Sequence, residues 1–82
     1  MSGEEHDREK ALANLRTALA LAPNDPGVMD IAADVYENLG DRKQAVAYAA
    51  KAIRAGYTKD ALRNDPELQE ALKDPAMKEV LK

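Results

Sequence analysis

Asp30, Asp34, Glu37 and Asn38 are the residues whose types and spacing invite chemistry. Steps of four, three and one place them on a single helix face. Paired carboxylates on such a face can act as acid and base, or hold a divalent cation through hard oxygen ligands. Either use requires that the carboxylates be drawn out of water. Helix-surface acids in open solvent lack that desolvation, so the expectation is neither catalysis nor a metal site. The rest of the sequence offers less. His6 is the single histidine, with no Cys, Ser or acid at a spacing that suits a triad or a metal cluster. Ser2 is the single serine, and Thr17 and Thr58 fall at helix surfaces or boundaries, which leaves nucleophilic catalysis without a candidate. Gly3, Gly27, Gly40 and Gly56 stand apart from one another, so no phosphate-cradling loop exists. The chain reads as a non-enzyme without a cofactor.

The elements that carry these residues are helical. Residues 25–56 read as two antiparallel helices about a tight turn. Val28, Ala32, Val35 and Leu39 form one stripe of the first helix, with Met29, Ala33 and Tyr36 beside it; Ala45, Ala49, Ala52 and Ile53 line the second. Gly40 suits the left-handed position just past a helix end, where the absence of Cβ removes the steric penalty. Asp41 can then accept hydrogen bonds from the free amides of the next helix. Small side chains on the inner stripe let the two axes approach closely. Ahead of this pair, residues 7–21 form an amphipathic helix with Ala11, Leu12, Leu15, Ala18 and Leu19 on one face and Asp7 as the expected N-cap. The stretch 22–26, Ala-Pro-Asn-Asp-Pro, stops it and starts the next.

Charge is segregated along the chain. Asp25, Asp30, Asp34 and Glu37 are the only charges from Thr17 to Gly40, whereas the helix that follows holds Arg42, Lys43, Lys51 and Arg54. The bland account is two solvated faces; the other is a functional polarity. With 82 residues there is room for one domain, near the lower limit for a self-sufficient core. The 45% hydrophobic share excludes compositional disorder, but much of it is alanine and there is no Phe or Trp. A core so thin needs closely packed helices or a neighbour. Absence of Cys excludes disulfides and thiolate metal sites. No apolar run reaches membrane-spanning length and the first residues lack signal-peptide character, so the expectation is a cytoplasmic chain. A net charge of −3 argues against nucleic acid and anionic membranes.

Two internal repeats organise the chain. Residues 7–22 align with residues 41–56 at a 34-residue offset, with Asp7/Asp41, Arg8/Arg42, Ala11/Ala45, Ala13/Ala47 and Ala18/Ala52 identical. Residues 65–73 (DPELQEALK) align with residues 74–82 (DPAMKEVLK). Each copy of this shorter repeat reads as an Asp N-cap, Pro at the first helical position and a helix of about two turns. Together they form a C-terminal cap that covers the open side of the helix pair.

Residues 25–57 resemble a tetratricopeptide repeat. Met29, Ala32-Ala33 and Tyr36 match that family's large, small-pair and aromatic places in helix A. Gly40-Asp41 fits its inter-helix turn, and Ala45, Ala49 and Ala52 fall on helix B positions, with Ala49 in place of a bulky aromatic. The resemblance implies an all-α, short right-handed superhelix: helix B of an incomplete repeat at 7–22, a full repeat at 25–56 and capping helices at 57–82. It further implies a concave groove for a partner segment, matched here by Gly27, Asp30, Asp34, Glu37 and Asn38. Family grooves that take acidic chaperone tails carry Lys and Asn where Asp30 and Asp34 stand, so the acidic face here suits a basic partner.

The expected function is non-catalytic protein–protein interaction through this face, with no nucleic acid or membrane partner. The alternative is a structural self-assembly unit, or the C-terminal fragment of a larger repeat protein. Leu12, Leu15 and Leu19, with no preceding helix to cover them, are the expected self-association surface of a homodimer.

Overall fold

The computed structural model describes the backbone of residues 2–82 and the side chains of residues 7–82. Five helices, α1 (Ser2–Leu21), α2 (Pro26–Asn38), α3 (Arg42–Arg54), α4 (Lys59–Arg63) and α5 (Pro75–Val80), are joined by loops and by two 3₁₀ turns, Pro66–Leu68 and Ala71–Lys73. No strand occurs among the described residues, and the chain is all-α.

α1 departs from expectation at its start. It begins at Ser2, so Asp7 lies inside the helix and does not cap it. Nothing from residue 2 to residue 6 stops a helix: there is no Pro, and the single Gly costs about 1 kcal/mol relative to Ala. The side chain of His6 lies outside the described residues.

The α2–α3 pair follows its sequence closely. Asp25 caps α2 by accepting from the amides of Gly27 and Val28, and Asp41 caps α3 by accepting from Gln44. Both helices end in the same way. Gly40 has φ +80°, and the amides of Gly40 and Asp41 donate to the carbonyls of Glu37 and Tyr36. Gly56 has φ +112°, and the amides of Gly56 and Tyr57 donate to Ile53 and Ala52. These paired bonds are the Schellman closure, and the positive φ is what reserves both places for glycine. Ala32 and Ala33 on α2 and Ala45, Ala49 and Ala52 on α3 are fully buried. Tyr36 and Tyr48 stack across the pair with centroids 5.5 Å apart, and the Lys51 ammonium sits 4.4 Å above the Tyr48 ring.

The C-terminal segment supplies the bulk that the alanines lack. Leu62, Leu68 and Met77 are the largest fully buried side chains, and with Ala33, Ala49 and Ala71 they form one core cluster. Val46, Tyr48, Ile53 and Tyr57 pack around it from the α3 side, and Leu72, Val80 and Leu81 from the C-terminal side. The segment therefore folds over α2 and α3; α1 rests on α2.

The two copies of the nine-residue repeat differ in conformation. Both begin with a capping Asp, as expected, but residues 65–73 form two 3₁₀ turns where a helix of about two turns was expected; residues 74–82 hold a true α-helix. Both copies still reach the core: Leu68 and Ala71 of the first and Met77 of the second are fully buried.

Candidate functional site

The acidic face of α2 is not in open solvent. The first 3₁₀ turn lies along it, held there by the burial of Leu62 and Leu68 on the alanine surface beneath. Asp30 and Asp34 are half-buried under this covering, which removes the premise on which chemistry there was discounted. Asp65, the residue that caps the turn, is 7% exposed and faces them. Each of the three carboxylates brings an oxygen to within 4.8 Å of the others.

Their hydrogen bonding is incomplete. Asp65 Oδ1 accepts from the Glu67 amide at 2.9 Å, but Asp65 Oδ2, Asp34 Oδ1 and Asp30 Oδ1 are buried with no donor outside the cluster. A buried carboxylate oxygen without a donor carries a desolvation cost that is ordinarily offset by a partner. Among the described residues, no Lys or Arg pairs with any of the three. The electrostatic result is large. Burial, then the hydrogen bond and charge of Asp65, push the Asp30 carboxyl up to about 6, against a smaller lowering by the Tyr57 hydroxyl. Burial, the hydrogen bond to Asp65 and the charges of Asp30, Asp65 and Glu67 push Asp34 up to about 8. Burial and the same acids raise the Tyr57 hydroxyl in turn. Lacking a cation from the fold, the cluster holds its acids partly protonated near neutral pH.

The remaining residues of the expected face have other engagements. Glu37, its side chain 12% exposed, accepts from Arg42 Nε at 2.7 Å and Nη2 at 2.8 Å. Arg42 reaches on to Asp74 Oδ2 at 3.3 Å, tying the inter-helix turn to the start of α5. Asn38 is exposed and donates to Glu67 Oε2 at 3.1 Å. Gly27 stands in the first turn of α2, where its amide donates to Asp25 Oδ1 at 2.8 Å. So the structure brings Asp30 and Asp34 together with Asp65, joins Asn38 to their rim through Glu67, and gives Glu37 to Arg42. Asp65 and Glu67 were missed in the sequence because both lie far along the chain from α2. The absence of any basic residue between Thr17 and Gly40 was the one signal that α2 would meet an acid without a counter-charge.

The expected self-association residues are also redistributed. Leu15 is 3% exposed within the single chain, and Leu12 and Leu19 are half-buried. The large apolar side chains left in water are Leu21, 82% exposed at the end of α1, and Ile31, 51% exposed on α2. Two shallow hollows, one lined by Ala50, Ile53, Arg54, Glu79 and Val80 and one by Asn24, Met29, Lys51, Arg54 and Ala55, include none of the clustered acids. No described helix is long and apolar enough to cross a membrane.

Residues 28–55 match the tetratricopeptide repeat family. No curated protein and no solved structure matches the chain. The matched stretch is the α2–α3 pair itself, with its buried alanines, Schellman turn and stacked tyrosines, and this chain therefore carries a tetratricopeptide-type repeat.

Proposed function

We propose that this chain is a non-catalytic module that binds a basic segment of a protein partner along the acidic face of α2. Tetratricopeptide repeats generally mediate protein–protein interaction, and the repeat here is α2–α3. The observation that carries the reading is the cluster of Asp30, Asp34 and Asp65, three carboxylates with oxygens lacking donors and no cation of the chain's own paired to them. A Lys or Arg side chain from a partner supplies both the charge and the N–H donors that these oxygens lack. Gly27 and Asn38, with Glu67, form the rim over which the segment lies, and Glu37 contributes through the field of its pair with Arg42.

Fluorescence titration of a labelled Lys/Arg-rich peptide library tests this. Saturable binding that weakens with added salt, and that weakens at least tenfold in the Asp30→Asn/Asp34→Asn double variant, is the expected result. Peptides that fail to saturate, or that bind the double variant equally well, defeat the reading.

A second reading, a homodimer, is favoured by the exposure of Leu21 and Ile31 and the incomplete burial of Leu12 and Leu19. Apolar side chains of that size are stabilised by covering one another across a two-fold axis. Light scattering at micromolar concentration should give twice the 8.9 kDa chain mass, reduced to one chain by Leu21→Glu. A mass of 8.9 kDa for the unaltered chain removes the dimer.

A further inference from the structure

We propose that Asp30, Asp34 and Asp65 form a site for a hard divalent cation of the calcium class. The proposal goes beyond the partner reading, because the ion needs only this chain. Asp30 and Asp34, one helical turn apart on α2, present their carboxylates side by side, and the turn capped by Asp65 closes over them from the opposite side. A calcium ion with bonds of about 2.4 Å holds ligand oxygens up to roughly 4.8 Å apart, and the oxygens of this cluster all lie within that limit.

The feature that separates this cluster from an ordinary group of surface acids is Asp65. The residue is only 7% exposed, and its Oδ2 is buried with no donor outside the cluster. Oδ1 is occupied by the Glu67 amide at 2.9 Å, and that bond fixes the carboxylate while leaving the second oxygen unused. Asp30 Oδ1 and Asp34 Oδ1 are likewise buried without a donor from the backbone or a basic side chain. A metal ion satisfies the three oxygens at once, in place of the protons that the crowded carboxyls otherwise share. The ligand set is all oxygen, without His or Cys, which suits calcium, magnesium or manganese over zinc or copper. Asp34 is the least buried of the three, so water reaches the remaining coordination positions from its side. Calcium, with its adjustable coordination number, tolerates such a mixed shell better than magnesium, which demands near-ideal octahedral geometry.

The structure also explains why the position is rigid enough to select an ion. Asp65 is held by the cap and by the buried Leu62 and Leu68 on either side of it, and Gln69 Nε2 donates to the carbonyls of Arg63 and Asp65 at 3.0 and 2.9 Å. The lid of the site is thus built into the C-terminal segment, not left to a mobile loop.

Calorimetric titration of the full chain with CaCl₂, and separately with MgCl₂, after removal of metal by chelation, tests the inference. One calcium per chain with a melting temperature that rises on addition is the expected result. Asp34→Asn and Asp65→Asn, which keep side-chain size, should each weaken calcium binding at least tenfold while retaining the helical circular dichroism of the parent. Glu70→Gln and Glu79→Gln, which remove exposed acids elsewhere, should leave it unchanged. Absence of saturable binding, or equal binding by the Asp34→Asn and Asp65→Asn chains, overturns the site. The peptide titration is separate: calcium binding without peptide binding leaves the ion site standing and defeats the partner reading, and the converse defeats the ion site alone.

Discussion

The two copies of the Asp-Pro repeat start alike and end in opposite electrostatic circumstances. Asp65 and Asp74 are each followed by Pro at the first position of a helical turn, and each caps that turn, accepting at 2.9 Å from the second amide along. Across from Asp74 stands Arg42, 3.3 Å away, on the basic helix α3. Across from Asp65 stand Asp30 and Asp34 on α2, which has no basic residue. One copy completes an ion pair, and the other completes a cluster of like charge. A capping motif fixes local backbone and says nothing of the charge that will face it. That is decided by which helix of the repeat the motif lands on.

Both copies stand on the same alanine floor, so the most severe way to break the comparison is to raise that floor. Ala49 is fully buried in the cluster that holds Leu68 from the first copy and Met77 from the second. Ala49→Leu should cost about 1–3 kcal/mol by overpacking and shift both copies together. Ala50→Leu is the control, because Ala50 borders an open hollow with Ile53 and Val80 and has room for the added atoms. Urea midpoints that fall equally in the two variants would show that Ala49 is not the floor.

The charge difference between the copies can be sharpened with pH. Asp30 and Asp34 have folded-state carboxyls raised to about 6 and about 8, above the ordinary 3.8, with burial the leading cause and Asp65 and Glu67 the facing acids; Tyr57 opposes the rise at Asp30. A carboxyl raised on folding favours the protonated fold. Its contribution is therefore complete below about pH 4 and is lost as pH rises, first through 6 for Asp30 and then through 8 for Asp34. With EDTA present, stability should fall between pH 5 and pH 8.5 by about 1–2 kcal/mol, a figure reduced from the full linkage value because both groups are partly exposed. Asp34→Asn should flatten most of that slope. Parallel pH profiles for parent and variant would mean that Asp34 ionises as freely in the fold as in the unfolded chain.

Much of this was legible in the sequence, and the remainder was hidden for one physical reason. The α2–α3 pair, its glycine closures and its Asp caps depend on residues within a few positions of one another, so pattern and turn chemistry reveal them. The 34-residue offset reveals the repeat class in the same way. The position of the C-terminal segment is a long-range matter. Leu62, Leu68 and Met77 are drawn onto the alanines because those small side chains leave volume to fill, and the landing carries Asp65 onto Asp30 and Asp34 from 31 residues beyond the latter. Period and capping rules contain no such information. The expected helix at residues 65–73 is instead two 3₁₀ turns, a departure that capping and period rules did not signal. At the other end, Asp7 has the look of a cap, but an upstream stretch free of Pro let α1 run through it.

The smallest effect is also the most discriminating, because the two copies should move in opposite directions under the same substitution. Asn caps a helix start as well as Asp does, so Asp65→Asn and Asp74→Asn each preserve the turn they begin. What changes is one negative charge. At Asp65 its removal relieves repulsion with Asp30 and Asp34, and the new amide can donate to one of their orphaned oxygens. Asp65→Asn should therefore raise the urea midpoint at pH 7.5 in EDTA, by up to about 1 kcal/mol of stability. At Asp74 the same change removes an acceptor of Arg42 and leaves Glu37 as its remaining ion-pair partner, so the midpoint should fall slightly. Raising salt should shrink the Asp74→Asn shift more than the Asp65→Asn shift, since Asp74 is partly exposed and Asp65 is buried. If the two variants moved the midpoint in the same direction, the facing helices would not be what distinguishes the two copies.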